Sequence, residues 1–337
     1  MYDTFKLLKK LCGQQSPAGH EENIRETISE LVAPMAVSME TDVMGNLLVY
    51  MGSGEDCRLL VATHMDENGI IATYCDPQGY FRFSRIGGIP PYTALHQKVV
   101  FTNGVTGVIQ KDGDKKLTEL TFDNLYVDIG ASSDKEGLKK LPIGTAGSFV
   151  SPLERIGSRK CAGKALDNRS GCAVSILAMQ MLAEAGAKLK GKVCFAFTVQ
   201  EEIGCRGAKI LAEQLRPAAA LAVDVTIAGD EPNCGKNSVV LGKGPAVKIM
   251  DGSIIAHPEI RKMLEDVAEE NDIKVQHEII TAGGTDAGAI QPTAGGIKAG
   301  GIAIPCRYIH TTNEEVAMSD VEGAATLLTK AIEKMCN

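Results

Sequence analysis

Residues Val193 to Ala208 read VCFAFTVQEEIGCRGA. From Val193 to Val199 every residue but Thr198 is apolar. A continuous apolar run of this length, closed by a polar break, reads as a strand buried on both faces. Glu201 and Glu202 follow at once, and beyond Gly204 the pattern turns helical. The pair therefore sits just past the carboxyl end of a central strand, the edge at which open α/β sheets bind ligands. Successive side chains of an extended segment point opposite ways, so adjacent glutamates can face different partners. One can hold a metal while the other handles a proton, and the residues alone leave open which does which.

Other runs deliver polar residues in the same way. Leu59 to Thr63 leads to His64 and Asp66, Ala218 to Val223 leads to Asp224, and Gly301 to Ile304 leads towards His310. Asp167 lies in AGKALDNRSG, a glycine-flanked loop before a long apolar helix read from Arg169 to Ala185. Singly, each has an ordinary reading: a hydrogen-bonded histidine, a helix cap, a solvated turn. Together, His64, Asp167, Glu202, Asp224 and His310 form a mixed nitrogen and oxygen set suited to zinc, cobalt or manganese. Five ligands exceed one open tetrahedral site and suit two ions about 3.5 Å apart that share a carboxylate. The other four histidines lack this strand-end context.

The rest of the chain frames that edge. Helical spacing appears at 4–12, 21–32 and 258–270, and 47–51 reads as a strand. Ser319 and Glu322 have the spacing of a capping box opening the last helix. Between about Gly69 and Lys160 the texture changes to short β-rich runs separated by Gly, Pro, Asp and Asn, with one short helix over 134–141. The expectation is an α/β domain from 1–68 and 161–337, with a mixed, mostly parallel sheet flanked by helices, interrupted by a mostly β subdomain at 69–160.

With 337 residues, 44% hydrophobic and 23% charged, the chain has the composition of a globular protein with a sizeable core. A formal net charge of -7 argues against a general binder of nucleic acid or anionic membrane. No run approaches the roughly 18 apolar residues of a membrane span, and no signal peptide is visible. Ten scattered cysteines without a C-x-x-C pair point to a reduced, cytoplasmic protein. Cys205 and Cys306, near the candidate ligands, read as buried and inert rather than as ligands or redox switches.

HMDENG, ALDNRSG, QEEIGCRGA, AVDVT, GGTDAGA and IPCRYIHTTNE occur in an order and spacing that resemble the tetrahedral-type aminopeptidases, metallopeptidase family M42, which includes glutamyl and deblocking enzymes. SPAGHEENIRETI, IGGIPPYTALHQKVV and YVDIGASS extend the likeness over nearly the whole chain. The resemblance implies the co-catalytic zinc-exopeptidase fold and hydrolysis of the N-terminal peptide bond by a water held between two divalent metals, zinc or cobalt. Asp167 would bridge them, with His64 and Asp224 on one and Glu202 and His310 on the other. Glu201 would be the general base and Asp66 would orient His64. Gly284, Thr285 and Asp286 would line the substrate pocket. Dimers made through the insertion would assemble into a dodecamer that admits peptides with free N-termini. The alternatives are a deacylase or carboxypeptidase with the same chemistry, or a scaffold that has kept only the fold. Asn68 and Thr311 depart from the family pattern, and Asn68 stands where an aliphatic residue is usual.

Overall fold

The computed structural model of the chain describes residues 3–234 and 239–337. Two amphipathic helices, α1 (Thr4–Cys12) and α2 (Glu22–Val32), precede strands β1 (Ser38–Thr41), β2 (Leu47–Met51) and β3 (Cys57–His64). The chain then leaves this layer to form β4 (Gly69–Cys75), β5 (Phe81–Ile86), a short α3 (Pro91–Ala94), β6 (Lys98–Phe101), β7 (Thr106–Lys111), β8 (Leu125–Asp128), α4 (Asp134–Lys140) and β9 (Ala146–Phe149). Strands β4 to β9 close into an antiparallel barrel in the order β4-β5-β8-β7-β6-β9, around Ile70, Phe81, Val99, Phe101, Ile109 and Val127.

The chain returns through β10 (Glu154–Ile156), β11 (Lys160–Gly163), α5 (Leu166–Glu184), β12 (Lys192–Thr198), α6 (Arg206–Leu215) and β13 (Ala219–Ile227). It ends with β14 (Ala246–Met250), α7 (Pro258–Glu270), β15 (Gln276–Ile279), α8 (Asp286–Ile290), β16 (Lys298–Arg307), β17 (Glu314–Ala317) and α9 (Met318–Cys336). Among the described residues the large sheet has eleven strands, with the path β1-β2-β12-β3-β13-β16-β17-β11-β10 and with β14 and β15 attached at β16. Its centre, β12-β3-β13-β16, is parallel, and antiparallel strands flank it on both sides. The expected α/β architecture with a small β subdomain is therefore present.

Side-chain alternation along the central strands divides the core in two. Val193, Phe195 and Phe197 join Val61, Leu221 and Ile302 against α1, α2, α5, α7 and α9. Cys194 and Ala196 face the other way with Leu60, Ala62 and Ala222, towards α6 and α8. Small residues on the second face let its two shorter helices approach closely. The sheet is thus covered on both faces, as a parallel sheet requires.

Three sequence expectations need correction. β10 lies inside the stretch assigned to the insertion but pairs with β11 in the large sheet, because the two form a local hairpin. Asp224 does not follow its strand. β13 runs on to Ile227, held by nine register positions against β16. Ser319 does not cap the last helix: β17 passes directly into α9, Ala317 is the N-cap without a side-chain cap bond, and Glu322 Oε1 accepts from Thr4 Oγ1 at 2.7 Å.

Candidate active site

The carboxyl ends of the four parallel strands meet at one place. His64 is the last residue of β3, Asp224 lies near the end of β13, and Glu201 and Glu202 follow β12. His310 follows β16 with a positive φ of 63°. Asp167 enters from the start of α5. That helix opens with non-helical φ/ψ at Asp167 and Asn168, and their peptide bond is cis. Asn168 explains the local arrangement. Its Nδ2 donates to Val223 O at 2.8 Å and its Oδ1 accepts from Gly171 N at 2.9 Å. The first bond ties the chain to β13 and the second caps the helix proper, so Asp167 projects between His64 and His310. Glu201 and Glu202 separate by a turn rather than by strand alternation, because β12 ends at Thr198 and Gly204 N donates to Glu201 O.

His64 Nε2 lies 3.1 Å from Asp167 Oδ1 and 3.6 Å from Asp224 Oδ1. His310 Nε2 lies 3.4 Å from Asp167 Oδ2 and 3.5 Å from Glu202 Oε2. All five expected ligands therefore converge, as two groups that share Asp167. Two ligands each about 2.0–2.2 Å from a tetrahedral zinc stand roughly 3.3–3.6 Å apart, so the donors have the spacing that two such ions require. Among the described residues no lysine or arginine pairs with Asp167, Glu202 or Asp224. The donor set fits two divalent cations in chemistry, spacing and charge.

Electrostatics agree with that fit. Burial, reinforced by neighbouring carboxylates, pushes the Glu201 and Glu202 carboxyls well above the ordinary range. Burial opposes ionisation of Asp167 as well, but the imidazoles of His310 and His64 outweigh it and hold its pKa low. Burial also disfavours an imidazolium at His64, yet Asp224, Asp167 and Asp66 raise its affinity for a proton. Burial is the leading influence at all four groups, and the neighbouring carboxylates and imidazoles decide which way each finally shifts.

A surrounding set of bonds fixes the donors. Asp66 Oδ1 stands 3.4 Å from His64 Nδ1, and the same carboxylate accepts from Glu201 N and Glu202 N, both at 3.1 Å. Glu314 accepts from Asp167 N at 2.8 Å and from His310 N at 2.9 Å. Asn68 Nδ2 donates to Glu202 Oε1 at 2.6 Å while its Oδ1 accepts from Gly88 N at 2.8 Å. Asn68 thus supplies a polar tether between Glu202 and the Gly88 backbone. A cavity of about 660 Å³ opens over the donors, walled by Val225, Ile280, Ala282, Tyr308 and Ile309. Gly284 and Thr285 line it. Asp286 sits behind that wall, 2% exposed, with Oδ2 accepting from Thr198 Oγ1 at 2.5 Å.

The family model described as M42 glutamyl aminopeptidase matches residues 45–327, a span that includes all five donors. The chain belongs to that family. A putative aminopeptidase of Acetivibrio thermocellus is 44% identical over 98% of both chains. A lysyl aminopeptidase of Pyrococcus furiosus is 30% identical over 98% of this chain and 97% of its own. A solved structure of the Pyrococcus horikoshii TET1 peptidase, described as able to assemble into a tetrahedron or a large octahedral shell, superposes with a TM-score of 0.88. It is 32% identical over 97% of this chain and 98% of its own.

Sequence reasoning missed Glu314 and the second function of Asp66. Glu314 closes the IHTTNE motif, so its acidity was visible. That it would reach back to two ligand-bearing backbones depends on β17 lying beside β16, a pairing no local pattern announces.

Proposed function

We propose that the chain is a metal-dependent aminopeptidase that hydrolyses the N-terminal peptide bond of peptides. The observation that carries this reading is Asp167, which presents Oδ1 to His64 and Oδ2 to His310, so that one carboxylate serves both donor groups. His64, Asp167 and Asp224 would hold one divalent ion, and Asp167, Glu202 and His310 the other, with zinc or cobalt best suited to the donors. When bound, the ions would polarise the scissile carbonyl and acidify water.

The protein's own groups do the remaining steps. Glu201 is outside both triads, 4.0 Å from His64 Nε2, and lines the cavity. Its carboxylate takes a proton from the attacking water and returns it to the leaving amine. Asp66, 3.4 Å from His64 Nδ1, would orient the ring and favour the tautomer in which Nε2 ligates. Glu314 and Asn68 keep Asp167, His310 and Glu202 in register. The cavity takes the N-terminal side chain of the substrate, with Gly284 and Thr285 close to its backbone.

The test compares the wild type with Glu201→Gln after chelation and reloading with zinc or cobalt. Chelation should abolish cleavage of free peptides and reloading should restore it. Glu201→Gln should retain both ions and lose about 10²- to 10⁴-fold in kcat. Cleavage within a few-fold of wild type would remove the base assignment. Preference for N-terminally blocked peptides would favour a deacylase.

We also propose that residues 1–68 and 161–337, together with strand β10, form the catalytic domain and that the rest of 69–160 makes dimer contacts in a dodecameric shell. The TET1 structure, described as able to assemble into a tetrahedron or a large octahedral shell, supports the self-assembly. So do exposed apolar side chains on the insertion, among them Tyr74, Tyr92, Leu117 and Ile143. A stable monomer in light scattering would overturn the assembly. All ten cysteines are free, which supports a reduced compartment such as the cytoplasm. Among the described residues no helix is long and apolar enough to cross a membrane.

A further inference from the structure

One group of donors beside the site belongs to neither triad. Cys205 opens α6 with a positive φ of 51°, and its Sγ lies 3.1 Å from Glu201 Oε1. Asp286 opens α8. The two helices share one apolar cluster, in which Ala208 and Leu211 meet Ala287 and Ile290. That packing brings one ligand atom from each of Glu201, Cys205 and Asp286 within 4.8 Å of one another. Asp286 is only 2% exposed. Its Oδ2 is occupied by Thr198, but its Oδ1 is buried with no hydrogen-bond partner among the described residues. An unpaired buried carboxylate oxygen is costly, and it belongs to the carboxylate that meets a thiol and a second carboxylate.

The charge around this group is unbalanced in the same direction. Asp66, Asp167, Glu201, Glu202, Asp224 and Asp286 form one connected cluster of six carboxylates. Two dications would leave two of these charges unmatched. Burial pushes Asp286 up to about 7 and the Cys205 thiol well above its usual range, so neither charge is favoured where no cation offsets it. A sulfur with two carboxylate oxygens suits a borderline-soft dication, while hard cations such as magnesium and calcium prefer an all-oxygen shell.

We propose that Cys205 Sγ, a Glu201 oxygen and Asp286 Oδ1 form a third, weaker divalent-cation site, selective for zinc and cobalt over magnesium and calcium, whose filling inhibits the enzyme by engaging Glu201. On binding, the S–H bond of Cys205 and the O–H bond of any protonated carboxyl among Asp286 and Glu201 break, sulfur–metal and oxygen–metal bonds form, and the protons pass to solvent. Glu201 then gives its lone pair to the cation and has none for a proton. The binding step stands on the donor geometry alone. The inhibition rests on the proposed role of Glu201 as base.

The experiment titrates cobalt(II) into protein already carrying two equivalents, in a Cys234→Ser background, because Cys234 is exposed and eight of the other cysteines are buried. A thiolate–cobalt charge-transfer band in the near ultraviolet should rise with the third equivalent. Peptidase activity should fall in parallel, and magnesium should cause neither change. Cys205→Ser should show no band. Scaled to its own starting rate, it should need at least about tenfold more zinc for half-inhibition. Asp286→Asn keeps the thiol and should retain the band with its midpoint shifted at least about tenfold, so the site is tested even where Cys205→Ser folds poorly. No band in the wild-type thiol background, or equal ion stoichiometry and inhibition curves with and without Cys205, would overturn the site. A band without loss of activity would overturn the inhibition alone. A fully active Glu201→Gln would remove the base assignment, and the band by itself would then decide whether the site exists.

Discussion

Glu21 ties the amino-terminal helices to the catalytic turn. It is 3% exposed, and its Oε1 accepts from Gly19 N at 2.7 Å and from Gln200 N at 3.2 Å, one residue before Glu201. Burial pushes its pKa from 4.5 to about 7, the two backbone donors only partly opposing it, and the nearby Asp66 adds to the rise. The folded state therefore holds a proton between these values that the unfolded state has released. Stability from this group is fully present below pH 4.5 and is lost as pH rises towards 7 and slightly beyond. The shift corresponds to about 3 kcal/mol at most. Glu21→Gln keeps the acceptor oxygen and removes the titration. Urea unfolding at pH 5, 6, 7 and 8 should give a steeper fall of stability with pH in the wild type than in the variant over this window. Parallel pH profiles for the two proteins would refute the assignment. The same residue also bears on what a sequence can disclose. Glu21 sits in SPAGHEENIRETI, where it looks like a first-turn acid of α2, and only the approach of Gln200 from 179 residues away makes it a buried group.

At the scale of elements, the site depends on a loop from the insertion as much as on the parallel strands. The segment after β5 brings Gly88 against His310, and a Cβ added at Gly88 would lie 2.5 Å from His310 Nδ1 and 2.7 Å from Cε1. The imidazole is 37% exposed and has room to yield, so the strain of Gly88→Ala should go into displacing a ligand rather than into unfolding. We expect a loss in kcat/KM on the order of 10²-fold for a displacement near 1 Å, weaker ion retention on dialysis, and a nearly unchanged unfolding midpoint. A variant with wild-type activity would mean that the ring does not need its present place. The glycines of IGGIPPY were visible in the sequence, but their contact across the molecule was not. What was legible were the apolar runs of β3, β12, β13 and β16, since burial on both faces leaves little choice of residue. The polar residues that end or follow them were legible for the same reason. What was not legible depends on pairing: the extension of β13 through Asp224, the hairpin of β10 with β11, and the uncapped start of α9. Those boundaries are set by a neighbouring strand, and the local sequence carries no trace of it.

At the scale of the whole molecule, the two bodies are joined through a buried charge network under the site. Glu67 lies where the chain enters the barrel, Ser148 is on the barrel's last strand, and Lys164 and Arg169 lie on the returning segment. Glu67 Oε2 pairs with Lys164 Nζ at 2.6 Å, while Oε1 accepts from Ser16 N at 2.8 Å and from Ser148 Oγ at 3.0 Å. Arg169 Nη2 stands 3.8 Å from Oε1, and the Arg169 side chain is wholly buried. One carboxylate therefore serves two buried cations, and the order of damage on mutation follows from that count. Lys164→Met removes one cation and leaves Glu67 and Arg169 as a matched pair, so part of the lost attraction is offset by the desolvation no longer needed. Glu67→Gln leaves two buried cations without a counter-charge. It should destabilise by about 3–5 kcal/mol and should also loosen the barrel from the sheet, since the Ser16 and Ser148 donors then meet a neutral amide oxygen. Lys164→Met should cost clearly less. Denaturant unfolding of the two variants, with limited proteolysis of the segments 65–69 and 149–165, separates these outcomes. If Lys164→Met is the more damaging, Arg169 is neutralised by some other group and Glu67 is not the joint that holds the insertion over the active site.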